Sequence, residues 1–245
     1  MHSHSETSSR QFPARSGGSA PRRAASPGRR FGGAWIFDLD NTLHNATPHI
    51  FPHINRSMTA YLQEHLQLDA EAASALRLKY WHRYGATLLG LMRHHGTDPD
   101  HFLWHTHQFP ELARMVVAER AALHTVRRLP GRKLLFSNSP AHYAHAVLDV
   151  LGLGTLFDGV YAIEQVRYQP KPLGAGFRRL IAQERLIPRR TVMVDDSLPN
   201  LRAAHRLGMR TVWVSREPRV PDYVTVRVGS VRALPRLLDD LGMSC

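Results

Sequence analysis

The sequence predicts an α/β protein: a doubly wound parallel sheet that is interrupted, right after its first strand, by an inserted helical cap domain. Three observations carry this. From residue 131 onward, short apolar runs alternate with stretches of helical spacing, the pattern of crossovers that stack helices on both faces of a parallel sheet. The first apolar run, Ala34-Trp35-Ile36-Phe37, is separated from the second by residues 47–128, far more chain than one crossover helix needs. Asp38, Asp40, Ser137, Asn138, Asp195 and Asp196 all fall just past the ends of such runs, where open parallel sheets bind their ligands.

Residues 34–37 read as a buried strand. In the insertion, Ile50, Ile54, Met58, Tyr61 and Leu62 repeat at helical spacing, as do Leu76, Tyr80 and Tyr84. Phe102 and Leu103, then Leu112, Met115, Val116 and Val126, continue the pattern, with breaks expected near Asp69, from Gly96 to Pro99, and at Pro110. Residues 133–136 form the second expected strand and 141–151 a helix. A strand over 160–163, a helix over 173–185 and a strand over 191–194 follow. A helix over 198–207 is stopped by Gly208, and strands are expected over 211–214 and 223–226, with a last helix over 231–241. The division is then a basic, disordered tail over 1–30, an α/β core over 31–46 and 129–245, and a helical cap over 47–128. An insertion at that point hangs over the strand ends.

Composition narrows the setting. With 245 residues and 43% hydrophobic content the chain can bury a sizeable core. No apolar stretch approaches the length of a membrane span, and the start lacks an apolar signal region. The one cysteine, Cys245, excludes an intrachain disulfide and a cysteine-built zinc site, so a reducing cytoplasm is expected. The net charge of +12 is concentrated in part in the tail, where six arginines face Glu6 alone. The other basic residues are scattered, and no aromatic–basic pattern of a nucleic-acid module is present. A basic surface instead favours a small anionic partner.

The hexapeptide Asp38-Leu39-Asp40-Asn41-Thr42-Leu43 is the most informative segment. Two carboxylates crowded into one loop repel each other unless a cation or a proton lies between them. Mg²⁺ is the natural guest, since it takes a few carboxylates together with substrate phosphate oxygens. One aspartate can then act as nucleophile and the other as general acid and base. Asp38 is the expected nucleophile on phosphorus and Asp40 the acid/base. Thr42, Ser137 and Asn138 are expected at the phosphoryl group. Lys171, between Pro170 and Pro172, supplies a fixed cation. Asp195 and Asp196 complete a metal site with Asp38 and Asp40.

At this point the chain resembles a known family. Asp38-Leu39-Asp40-Asn41-Thr42, Ser137-Asn138, Lys171-Pro172 and Val194-Asp195-Asp196-Ser197-Leu198-Pro199-Asn200 look like the four ordered motifs of the haloacid dehalogenase superfamily. The insertion is similar to the helical cap of the superfamily's first cap class. Aspartate at position 40 implies phosphatase rather than dehalogenase chemistry. A finer resemblance, carried by Phe37 to His44, by Tyr80 to Leu91, by Phe136-Ser137-Asn138 and by Lys171-Pro172, is to bacterial pyrimidine 5′-nucleotidases. It implies a Mg²⁺-dependent phosphomonoesterase acting on pyrimidine nucleoside monophosphates. It also implies that Asp196, rather than Asp195, touches the metal directly. Another small phosphate ester, such as phosphoglycolate or a sugar phosphate, is the alternative substrate. A phospho-accepting regulatory protein is the rival from another class; it needs neither the insertion nor Asp40.

Other residues are read against plainer roles. Arg83 is expected to contact the leaving group, with Tyr80, Trp81 and Tyr84 in the cap's own core. His94, His95, His101, His105 and His107 cluster in sequence without an acidic or cysteine ligand, so a surface or core role is expected over zinc. His44, His49 and His53 follow the first motif closely enough to face the entry or to pack beneath it. Asn200 is expected to support the metal aspartates from behind.

Overall fold

A computed structural model of the protein describes residues 33–243; the tail expected over 1–30 and Cys245 lie outside them. In chain order the elements begin with β1 (Ala34–Phe37), α1 (Ile50–Leu66), α2 (Ala70–Tyr84), α3 (Thr87–His95), α4 (Pro99–Thr106), α5 (Leu112–Met115) and α6 (Arg120–Arg128). They continue with β2 (Arg132–Phe136), α7 (Ala141–Val150), β3 (Gly159–Tyr161), α8 (Gly174–Glu184), β4 (Thr191–Asp195), α9 (Leu198–Arg206), β5 (Arg210–Val214) and β6 (Val226–Val228). Short 3₁₀ helices occupy Pro188–Arg190 and Val231–Leu237.

Among the described residues the sheet has six strands, all parallel, in the order β3-β2-β1-β4-β5-β6. β1 and β4 are buried along their whole length. That is why they read as unbroken apolar runs rather than alternating ones. Side chains still alternate between faces. Trp35, Phe37, Leu135, Val192, Val194 and Val212 enter one core, which α6 and α7 cover with Ala122, Val126, Tyr143 and Val147. Ile36, Leu134, Phe136, Met193 and Trp213 enter the other, covered by Phe177 and Leu180 of α8 and Leu201 and Ala204 of α9. Helices on both faces make the sheet doubly wound, as the alternation of elements predicts.

The insertion breaks where turn chemistry demands. The Asp69 carboxylate accepts from Ala72 N at 2.7 Å and caps α2. Gly85, at φ 80°, ends it with its own N–H on Trp81 O. Gly96 closes α3 in the left-handed region, and the Asp98 carboxylate then caps α4 through Asp100 N and His101 N. Helices α1 to α4 pack on one another. Helix α6 differs from them: although it falls within 47–128, it lies against the C-terminal 3₁₀ helix and fills the sheet's first core. No described helix is long and apolar enough to cross a membrane.

Two C-terminal expectations are corrected. The sixth strand lies at Val226–Val228 rather than 223–226. The backbone of 223–225 is occupied otherwise: the Thr211 hydroxyl donates to Tyr223 O at 2.7 Å, and Val224 N closes a turn on Pro221 O. The last segment is a 3₁₀ helix ending at Leu237, with Pro235 inside it. Proline removes a backbone donor and clashes with the preceding turn, so an α-helix over 231–241 is not sustained. The third strand also stops at Tyr161, short of 163, because Ala162 N turns to the Gln165 side chain at 3.0 Å.

Helix α3 lies tight against α2 at Gly90, where an added Cβ would overlap the buried Tyr80 side chain. Gly90→Ala gains roughly 1 kcal/mol of helix propensity, but overpacking a filled site costs about 1–3 kcal/mol. Net destabilisation is expected in a urea melt, and a variant as stable as the parent would show that α3 shifts freely on α2.

Candidate active site

β1 ends at Phe37, and Asp38 N still reaches Val194 O of β4 at 2.9 Å. The ladder therefore fixes the Asp38 backbone. Beyond it the chain turns sharply, with Leu43 N on Leu39 O and Asn41 at φ 61°. The turn sends the Asp38 and Asp40 side chains to different partners.

Asp38 faces Lys171. Lys171 Nζ donates to Asp38 Oδ1 at 2.6 Å and to Asp195 Oδ2 at 2.8 Å, and all three residues are buried. Burial works against the lysine's charge, but Asp195 and Asp38 outweigh it and push its pKa above the ordinary range. The Thr42 hydroxyl takes the second Asp38 oxygen at 3.2 Å. Asp195 is held further by Asn200 Nδ2, at 3.0 and 3.1 Å, and by Ser197 N at 2.8 Å. Asp196, half-buried, lies at the edge of the site. Burial, then the Asp195 charge, raises its pKa to about 6. Burial likewise raises Asp38 well above the usual carboxylate range, against the pull of Lys171 and with Asp195 and Asp196 adding to it.

Ligand atoms of Asp38, Asp195 and Asp196 lie within 4.8 Å of one another. When ionised, three carboxylates face one ammonium, leaving two negative charges unbalanced. An oxygen-only donor set with that excess fits one hard divalent cation. Among the described residues this is the one histidine, cysteine or acidic group of such geometry. The histidines do not form another: His94, His95 and His101 instead meet the hydroxyls of Tyr84, Tyr80 and Tyr61 at 2.6, 2.8 and 2.9 Å.

The Asp40 carboxylate is held apart from this trio by its own set of partners. Tyr143 OH donates to Oδ1 at 2.6 Å, His44 Nε2 meets the same oxygen at 2.9 Å, and Ser139 Oγ donates to Oδ2 at 2.9 Å. Burial pushes the carboxyl up, but these bonds outweigh it and hold Asp40 below its ordinary value. Burial and the Asp40 charge push the Tyr143 phenol far above its usual range, so it remains a donor. His44 therefore packs beneath the motif. His53 is occupied by Gln108 O at 2.7 Å.

Asn138 lines the cavity and also braces the loop of Lys171. Its amide donates to Lys171 O at 2.9 Å and accepts from Lys171 N at 2.7 Å, so the side chain holds the lysine's backbone. Ser137 Oγ accepts from Ser139 N at 3.0 Å and lies in the cavity wall.

These residues floor a cavity of about 760 Å³ whose roof comes from the insertion: Phe51, Ile54 and Met58 of α1, Arg77, Leu78 and Trp81 of α2, and Leu88 of α3. Arg83 is not among the lining residues. It is exposed, with its guanidinium over the Tyr84 ring. Two residues past Trp81 is about 200° around a helix, which turns Arg83 to the opposite side. Tyr143, Ser139 and Arg77 went unmarked in the sequence, and His107 was read there only as one of a histidine cluster with a surface or core role. Ser139 alone left a signal there, since alternation from Ser137 returns it to the same side of the strand end.

The fold, the acidic trio under a helical roof and the buried lysine define a hydrolase of the open-sheet type, and the chain belongs to the haloacid dehalogenase-like hydrolases: the model of that family matches residues 34–208. Phosphate metabolism protein 8 of Saccharomyces cerevisiae is 24% identical over 189 residues, covering 71% of this chain. The match spans 59% of that protein's length. A phosphatase of the same superfamily from Thermococcus onnurineus has a similar fold, with a TM-score of 0.59 at 21% identity over 84% of this chain and 97% of that one. So does a 2-haloacid dehalogenase from Pseudomonas syringae pv. Tomato, at 0.54 and 20% over 84% and 98%.

His107, buried in the cavity wall beside Tyr143, has its pKa lowered from 6.5 to about 4, chiefly by burial. The unfolded chain binds this proton below 6.5, the folded chain only below about 4. Stability is therefore full above the first value and falls as pH drops toward the second, by about 3 kcal/mol. Unfolding free energies of the parent and His107→Gln, compared across that window, should converge as pH falls; parallel curves would refute the assignment.

Proposed function

We propose that this protein is a Mg²⁺-dependent phosphomonoesterase of pyrimidine nucleoside 5′-monophosphates, working through an aspartyl-phosphate. One observation carries the reading: two carboxylates of different environment face one cavity. Asp38 is pinned by Lys171 and Thr42, and Asp40 is held separately by three donors. A phosphoryl-transfer site needs that division between nucleophile and proton carrier.

In the first step an Asp38 oxygen attacks phosphorus, the bond to the leaving oxygen breaks, and Asp40 delivers a proton to that oxygen. In the second, Asp40 takes a proton from water as the water attacks phosphorus and frees Asp38. The bonds from His44, Tyr143 and Ser139 favour the carboxylate form of Asp40, the form the second step requires. Lys171 and the Ser137 hydroxyl supply positive charge and a donor to the phosphoryl oxygens. Mg²⁺ would be held by Asp38, Asp195 and Asp196, and when bound it offsets their mutual repulsion and the charge of the phosphate. Asp195 already carries Lys171, Asn200 and Ser197 N, so Asp196 is the freer ligand.

The roof, α1 to α4 of the proposed cap, supports a large leaving group. About 760 Å³ exceeds what phosphoglycolate fills and accommodates a nucleoside. The Asp40 network also speaks against a phospho-accepting regulator, which gains nothing from a positioned acid/base. A chain whose one cysteine is Cys245 suits a cytoplasmic setting.

Purified protein with Mg²⁺ should hydrolyse uridine and cytidine monophosphates with higher kcat/KM than adenosine or guanosine monophosphate. Asp38→Asn should abolish turnover with the circular dichroism spectrum retained. Full activity of that variant would sink the nucleophile assignment, and equal rates on purines and pyrimidines would sink the substrate class.

Mg²⁺ titrations should also separate the aspartates. Asp196→Ala should raise the Mg²⁺ concentration for half-maximal rate while the fold melts as in the parent, because no buried ion pair is lost. Asp195→Ala should lower the melting temperature, since Lys171 and Asn200 lose their acceptor; the reverse pattern would overturn the proposed ligand set.

A further inference from the structure

Arg77 stands in the cavity wall with an unmet requirement. It lies on α2, one turn before Trp81, and Nη1 donates to Asn55 Oδ1 of α1 at 2.8 Å. Nε is buried without a partner, and no acid pairs with the side chain among the described ion pairs. Burial alone draws its pKa down, with no carboxylate to offset it. A guanidinium keeps its proton under these conditions and offers donors only. Partly desolvating such a group with no charged partner and only one hydrogen bond is unfavourable, so an acceptor oxygen on its remaining donors is stabilising.

The surroundings define what can bring one. Trp81, Leu78 and Phe51 line the same cavity and are 54%, 41% and 37% exposed, although large apolar side chains favour burial. They give apolar surface to the cavity that Arg77 also lines. A flat ring bearing carbonyl oxygens complements both features.

We propose that Arg77, oriented by Asn55, is a specificity-determining residue that binds an acceptor oxygen on the substrate's leaving group, the ring carbonyl of a pyrimidine base. This rests on the phosphatase reading above and names the cap residue that recognises the leaving group; Arg83 is turned away from the cavity.

The test compares three esters with the parent, Arg77→Met and Asn55→Ala. Uridine 5′-monophosphate carries ring carbonyls, 4-carboxyphenyl phosphate a carboxylate, and phenyl phosphate no acceptor on its leaving group. For Arg77→Met the ratio of kcat/KM on uridine monophosphate to that on phenyl phosphate should fall about 10- to 100-fold, the worth of a charged hydrogen bond. Asn55→Ala should lower the ratio less, and because it leaves the guanidinium in place it checks that Arg77→Met does not act through misfolding. An unchanged ratio overturns the proposal, as does an equal loss on all three esters. If the parent ignores uridine monophosphate but the ratio falls for carboxyphenyl phosphate, an acceptor subsite at Arg77 stands and the pyrimidine base is rejected. A parent inactive on all three rejects the phosphatase reading itself.

Discussion

The ammonium of Lys171 between Asp38 and Asp195 is the contact on which the site depends. It joins the ends of β1 and β4 with a charge that cannot leave, because the lysine is buried and two carboxylates stabilise it. Removing one partner of such a group leaves an uncompensated charge, at a cost of about 3–5 kcal/mol. The surrounding polar residues mostly serve to keep this arrangement in place: Asn138 grips the lysine's backbone, Asn200 and Ser197 hold Asp195, and Thr42 holds Asp38.

The same charge arithmetic explains why Asp40 sits elsewhere. A fourth carboxylate in the trio would face more repulsion than one lysine and one divalent cation offset. The turn after Leu39 directs Asp40 instead toward Tyr143 and Ser139, at and just before the start of α7, and toward His44 one turn on. Two acids separated by one residue thereby acquire opposite environments, one raised and one lowered in pKa. The sequence spacing alone carries no sign of that difference.

Much of the core was legible in the sequence because buried parallel strands are written as contiguous apolar runs, and their ends as acidic or hydroxyl residues. β1, β2, β4 and β5 follow that rule closely. β6 did not, because the Thr211 hydroxyl captures backbone that otherwise reads as strand, an interaction between residues distant in sequence. The roof was legible as helices and not as a surface. Arg83 and Arg77 both sit on α2, and only the packing of α1 against α2 decides which of them looks inward. The brace that Asn138 gives to the loop of Lys171 was not legible either, because it joins residues 33 apart in sequence.

The strand order has a consequence for how the chain is made. β1 lies in the middle of the sheet, yet its neighbours β2 and β4 begin at Arg132 and Thr191. At roughly 5–20 residues per second of synthesis, the Trp35-Ile36-Phe37 strand waits several seconds before either neighbour exists. During that time an apolar strand stands unpaired on the ribosome-bound chain, while the α1–α4 helices, whose contacts are with one another, can already fold, so the roof of the cavity precedes its floor.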